Sequence, residues 1–246
     1  MKLSDFTTLS FDCYGTLIDW ETGMLDALMP LTYQVSPAPD RNDILAAHGE
    51  EETRQQQANP TMSYAETLAV VYRRLAERWR IRVSWDECLE YGRSVGRWDP
   101  FSDTVDALTQ LAEHYQLVIL SNVDNNLFAE TEKKLRASFT AVFTAQDIGS
   151  YKPDERNFQY MLEHLEAMGT RRDQILHTAQ SLYHDHEPAA KLGLARCWIH
   201  RRFDKTGPGA TLDLADAPQP DFMFNSLAEL ADAHRAELAQ SNPDGV

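Results

Sequence analysis

Cysteine is scarce in this chain. The three present among 246 residues, Cys13, Cys88 and Cys197, are too few and too scattered for a disulfide framework or a zinc knuckle. A reducing, cytoplasmic setting is the simplest expectation. Long apolar runs are missing too. Nothing approaches the ~18 consecutive apolar residues of a membrane span, and Met1 to Asp5 opens no signal-peptide apolar stretch, so no membrane partner is expected. Positive charge is thin: 23 Lys and Arg stand against 38 Asp and Glu, for a net charge of −15. That argues against nucleic acid, whose phosphates need a basic face. The same field repels anions at long range, which gives weight to any basic residue near a site.

What is present falls into two patterns. Thr7 to Asp12 reads as a strand. Across residues 21–98 helical spacing dominates. Met24, Leu25, Leu28, Met29 and Leu31 mark one helix, a very polar run from Asp43 to Gln57 a second, and Tyr64 to Trp79 a third. Ser84 with Glu87 forms a capping box before a fourth. Beyond Pro100, strands at 117–120, 141–143, 174–177, 196–199 and 222–224 alternate with helices at 103–115, 125–135, 154–168, from 186 or 187 to about 192, and 226–238. A polar loop runs from Thr206 to Pro220. These patterns predict an α/β chain: a Rossmann-like parallel sheet core from residues 1–20 and 99–246, with an all-helical cap inserted at 21–98.

Four strand ends carry chemistry. Asp12 follows the first strand, before a break at Gly15 and Thr16. Ser121-Asn122 follows the second, Lys152 the third and Asp185 the fourth. A parallel sheet gathers such ends at one edge. Singly, Ser121 or Asp185 would be a helix cap and Lys152 a solvated loop residue. Together they make a nucleophile, a hydroxyl/amide pair, a cation and a second carboxylate. Cys13 should face away from Asp12, because side chains alternate along a strand. His184 and His186 beside Asp185 lack a further ligand at fixed spacing, so neither a metal nor another cofactor is expected. Tyr64, Tyr72 and Trp79 read as helical core, Trp20 and Phe101 as pocket candidates, and Arg201-Arg202 as a solvated pair.

Asp12-Cys13-Tyr14-Gly15-Thr16-Leu17, Ser121-Asn122, Tyr151-Lys152-Pro153-Asp154 and the acid Asp185 resemble the four motifs of the haloacid dehalogenase superfamily. Residues 21–98 stand where that superfamily carries a helical cap. The resemblance implies that Asp12 forms an ester with the substrate, which water then hydrolyses, splitting one difficult displacement into two easier ones. Lys152 would keep Asp12 ionised. Thr16, Ser121 and Asn122 would orient the carboxylates, and Asp185 would serve as base, with Lys152 and His184 assisting. Phosphatases of the superfamily place a second Asp two positions after the nucleophile and use magnesium. Tyr14 stands there in this chain. The resemblance therefore narrows to the dehalogenase branch, which displaces a group at C2 of a small carboxylic acid without a metal and is commonly a homodimer.

Two departures follow. Haloacid dehalogenases receive the halide on an arginine of the second cap helix. The comparable stretch here is Leu45-Ala46-Ala47-His48-Gly49-Glu50, with His48 at or near that position and Arg54 a turn or more away. In the fourth motif, Leu182 replaces Asn and His184 replaces Trp. A leaving halide wants a cation, and losing it suits a leaving amine. The string from Phe11 to Gly23, Ser181 to His186 and Phe224-Asn225-Ser226 are similar to azetidine-2-carboxylate hydrolases. That similarity implies ring opening of (S)-azetidine-2-carboxylate to 2-hydroxy-4-aminobutyrate, with water as co-substrate. Tyr14, Trp20, His48, Ser121, Asn122, Ser181, Tyr183 and His184 would then meet the substrate. Glu50 to Glu52 would either hold its ammonium or form a solvated helix face. The alternatives are an L-2-haloacid dehalogenase, a magnesium-dependent phosphatase, and a non-catalytic binding protein, which would need none of Asp12, Lys152 and Asp185.

Overall fold

Strand β1 (Thr8–Phe11) is buried along its whole length, so it reads as a continuous run rather than an alternation. In the computed structural model, which describes residues 1–241 apart from Pro208, Leu212, Asp213 and Ala215, β1 lies at the centre of a sheet. β2 (Gln116–Ser121) pairs with one edge of β1 and β4 (Ile175–Ala179) with the other. With β3 (Ala141–Thr144), β5 (Ala195–Ile199) and β6 (Phe222–Phe224), the order is β3-β2-β1-β4-β5-β6, all parallel. The chain winds outward from β1 in both directions. The order reverses there, and a crevice opens beyond the carboxyl ends of β1, β2 and β4. This is the expected α/β, Rossmann-like sheet.

Alternation along β2 divides the packing between the two faces of the sheet. Leu117 and Ile119 join Leu9, Phe11 and Leu176 in the larger core. Val118 and Leu120 pack on the other face against Phe158, Met161 and Leu165 of α8 (Glu155–Ala167). Between β1 and β2 run α1 (Trp20–Thr32), α2 (Arg41–Ala58), α3 (Tyr64–Arg78) and α4 (Trp85–Gly92). The capping box of Ser84 and Glu87 opens α4 as expected. α2 differs from the others. It has no apolar stripe, yet it buries His48, Glu51, Glu52, Gln55 and Gln56.

Some expectations change. The helix expected at 103–115 is α5 (Thr104–Leu111) and stops early. α6 (Asn125–Leu135) and α7 (Ala145–Ile148) flank β3, and α7 is too short for periodicity to reveal. Between β4 and α9 (Glu187–Lys191), a π turn at Leu182–His186 carries the fourth motif. The chain ends its described part in α10 (Leu227–Ser241). Arg201 and Arg202 are not a solvated pair. Arg201 forks onto Asp103 at 2.8 and 2.9 Å and stacks over Phe101, and buried Arg202 grips Glu21 of α1. Among the described residues, no helix is long and apolar enough to cross a membrane.

The helical segment is tied to the sheet by backbone amides. Asp124 precedes α6, but its carboxylate makes no cap bond to that helix. It reaches across to accept from Tyr64 N at 2.8 Å and Ala65 N at 2.9 Å, at the start of α3. Tyr151 adds a hydrogen bond from its hydroxyl to Met62 O at 2.7 Å. Asp124→Ala would orphan two amides, at a cost of about 1–3 kcal/mol. A thermal melt several degrees below the wild type is the expected result, and an unchanged melt would remove Asp124 from this role.

Candidate active site

The strand-end residues converge. Asp12 leaves β1 with its amide donating to Thr178 O at 3.2 Å. Gly15 then turns the chain at φ +97°, where an added Cβ would stand 2.8 Å from Trp20 Nε1, so only glycine suits both backbone and space. The turn closes with Leu17 N and Ile18 N donating to Cys13 O. It returns Thr16, whose hydroxyl donates to Asp12 Oδ2 at 2.8 Å and accepts from Gln180 N at 2.9 Å.

Lys152 is only 2% exposed. Its ammonium donates to Asp12 Oδ1 at 2.9 Å, Asp185 Oδ1 at 2.6 Å and Leu120 O at 2.9 Å, which uses all of its donors. Asn122 holds the Lys152 backbone from both sides, accepting from Lys152 N at 2.7 Å and donating to Lys152 O at 3.0 Å. Burial disfavours the charge on Lys152, but Asp12 and Asp185 outweigh it and hold the ammonium above its usual pKa. Burial also raises Asp12, with Asp185 adding to the rise and Lys152 and Thr16 opposing it. Burial works against Asp185 as well, but Lys152 and His177 overcome it and hold its carboxyl well below the usual range. Two carboxylates share one cation, and Asp185 has the firmer hold.

A cavity of about 40 Å³ opens over Asp12, room for about three waters. Asp12, Ser121, Asn122, Lys152, Ser181 and Asp185 line it from the sheet edge, together with His184, Tyr14 and Trp20. The expected Ser121 hydroxyl is buried there with no partner among the described residues. Ser181 caps the π turn by accepting from His184 N at 3.0 Å, and burial lowers His184 to about 4, so its ring is neutral near pH 7. The Tyr14 hydroxyl meets Thr131 at 2.9 Å.

Two expected substrate residues sit elsewhere. His48 is fully buried behind the cavity rather than on its wall, with Nε2 at 2.8 Å from the Tyr91 hydroxyl, and burial lowers it to about 3. It cannot meet an anion as a cation. Tyr183 lines a neighbouring cavity with Tyr151 and Pro153, because the π turn points it away. Of the three glutamates in α2, Glu50 pairs with Arg78 and Glu51 with Arg54 and Arg74. Only Glu52 lines the cavity with Asp12, as do Gln56 and Tyr64. Gln56 donates to Glu52 Oε1 at 3.2 Å, His48 Nδ1 lies 3.6 Å from Oε2, and Tyr64 hydrogen-bonds it as well. These neighbours are neutral, so burial dominates and pushes the Glu52 carboxyl up to about 7. Gln56, Tyr64 and Thr211, which also line the cavity, were not legible as site residues. Tyr64 repeats at core spacing, and the approach of Thr211 depends on a long loop.

Tyr14 replaces the second acid, and the ammonium of Lys152 already bridges the two remaining carboxylates. Among the described residues, no group of three or more His, Cys, Asp or Glu is arranged to hold a metal.

Glu52 titrates higher in the folded chain than in the unfolded one. The folded state therefore holds an extra proton between about 4.5 and about 7, and stability falls as pH rises through that window. Glu52→Gln cannot ionise and should escape a loss on the order of 3 kcal/mol. Its melting temperature should match the wild type near pH 4 and exceed it near pH 8. Parallel pH curves would contradict a strained Glu52.

None of the curated protein sequences matches the chain. Among solved structures, the L-2-haloacid dehalogenase PA0810 superposes with a TM-score of 0.76 at 20% identity, covering 94% of this chain and 99% of that one. A defluorinating L-2-haloacid dehalogenase gives 0.76 at 21% identity, covering 95% and 98%. The putative HAD-hydrolase YfnB from Bacillus subtilis, bound to magnesium, gives 0.73 at 19% identity, covering 94% and 99%. At these identities the likeness speaks for the fold alone. The sequence profile described as haloacid dehalogenase-like hydrolase matches residues 10–199, and the chain therefore belongs to the haloacid dehalogenase-like hydrolase family.

Proposed function

We propose that the protein hydrolyses a small carboxylate at C2 through an ester on Asp12, and that the group displaced is an amine, with (S)-azetidine-2-carboxylate the preferred substrate. The observation that carries the leaving-group assignment is Glu52. Besides Asp12 and Asp185, the cavity offers a buried carboxylate with neutral neighbours. Lys152 is the one permanent cation among the described lining residues, and its ammonium is already held by Asp12 and Asp185. A departing halide would meet negative charge at Glu52. A ring ammonium would be welcomed there and would relieve the desolvation of that carboxylate.

In the first step Asp12 attacks C2 and an Asp12–C2 bond forms as the ring C–N bond breaks. The bonding pair stays on nitrogen, which arrives protonated and departs as a neutral amine. Lys152 and Thr16 aim the carboxylate, and Ser121 supplies an unused hydroxyl for the substrate carboxylate. In the second step water adds to the ester carbonyl of Asp12, giving its proton to Asp185. The product hydroxyl leaves with an oxygen from Asp12. The amine takes up the proton released in the second step, so the overall ring opening is proton-neutral.

The second reading is an L-2-haloacid dehalogenase, favoured by the fold shared with such enzymes. Incubation with (S)-azetidine-2-carboxylate and with L-2-chloropropionate separates the two. The amine reading predicts 2-hydroxy-4-aminobutyrate from the first and little chloride from the second. Fast chloride release without ring opening would reverse the preference. For the ring substrate, kcat/KM should fall as pH drops through about 7, where Glu52 takes up its proton. Glu52→Gln should lower kcat/KM by about tenfold or more and remove that limb. A limb that persists in the variant belongs to another group.

A further inference from the structure

His177 is fully buried in β4, beneath the cavity rather than in it. Its Nε2 lies 3.0 Å from Asp185 Oδ1 and its Nδ1 lies 2.9 Å from Ser10 Oγ, on the neighbouring strand. The parallel register pairs Ser10 with His177, so the contact is built into the sheet. Phe158 packs edge-on to the imidazole at 5.0 Å and leaves the ring little freedom to turn. An ionised carboxylate only accepts, so Nε2 carries a hydrogen and donates to Asp185. Nδ1 meets the Ser10 hydroxyl, which holds the ring from its other side.

The two oxygens of Asp185 are thereby made unequal. Oδ1 accepts from both Lys152 and His177. Oδ2 is buried and has no partner among the described residues, although Asp185 lines the cavity. A buried, unpaired carboxylate oxygen is costly unless something polar binds there. We infer that His177 is a positioning residue for the second half-reaction: with Ser10 it pins Asp185 by Oδ1, so that Oδ2 is presented to the water that opens the Asp12 ester. Without His177, Asp185 pivots about the single bond to Lys152, and both oxygens compete for the ammonium. The first half-reaction uses Asp12, Lys152 and Thr16, and none of these bonds to His177. The two half-reactions should therefore respond differently.

The inference rests on the proposed Asp12 ester, and one experiment separates the two claims. Rapid quenching during turnover of (S)-azetidine-2-carboxylate, followed by mass analysis of the Asp12 peptide, counts ester directly. His177→Phe keeps the ring shape and loses the donor. It should form ester at close to the wild-type rate but lose it about tenfold or more slowly, so that ester accumulates. His177→Gln, whose amide can donate from nearly the Nε2 position, should restore part of the decay rate. Ser10→Ala removes only the hydroxyl that fixes the ring and should also slow decay, which keeps the test open if the Phe variant does not fold. A merely structural role would lower formation and decay together. That result, or wild-type decay in Ser10→Ala and whichever His177 variant folds, overturns the inference while leaving the ester intact. Absence of ester in every protein, the wild type included, would contradict the covalent reading and this role with it.

Discussion

One ammonium between two carboxylates holds the site together. Lys152 is almost wholly removed from water, where a lone cation would be untenable, and Asp12 and Asp185 would repel each other without it. Each member makes the others affordable. The sheet supplies the geometry: Asp12 from the end of β1, Asp185 from the turn after β4, and Lys152 from the loop beyond β3, locked by Asn122 after β2. With one positive charge for two negative ones, an Asp12 carboxylate is left incompletely neutralised. That suits a nucleophile, which must be held ionised yet remain reactive.

The helical segment completes the site with charge of the opposite purpose. α2 looks like a surface helix by composition, yet it is buried on a polar face. A polar face survives burial when it lines a cavity or pairs internally. Here Glu51 is paired by arginines, His48 is neutral against Tyr91, and Glu52 is left against neutral groups. Such a carboxylate weakens the free protein and gains when a cation arrives, a trade of stability for binding. Arg202 and Glu21 anchor the loop that brings Thr211 to the cavity. Gly49 lets that loop approach α2, since an added Cβ would stand 2.4 Å from Ala210 O.

Much of this was legible in the sequence, for a physical reason. Buried parallel strands announce themselves as apolar runs, and their carboxyl ends must meet, so Asp12, Ser121-Asn122, Lys152 and Asp185 are readable as one constellation from the sequence. The helices around them followed from periodicity and from caps such as Ser84. What could not be read depends on contacts distant in sequence. The partners of Arg201 and Arg202 lie 98 and 181 positions away. Whether Glu50, Glu51 or Glu52 faces the cavity depends on how α2 is rolled against α3. His48 was expected at the substrate because its position was counted along the chain, but the roll of the helix puts it one layer behind. His177 is not legible as a site residue because a histidine inside an apolar strand reads as satisfied core, and its contacts with Ser10 and Asp185 arise only in the fold.

The central claim is that Asp12 gives its own oxygen to the product. A single turnover of (S)-azetidine-2-carboxylate in heavy-oxygen water, with protein in excess, tests it most directly. The account predicts product carrying ordinary oxygen at C2 and one heavy oxygen retained in Asp12, because water attacks the ester carbonyl. Heavy oxygen at C2 of the product in that first turnover would mean that water attacks the substrate itself, and would contradict the covalent role of Asp12.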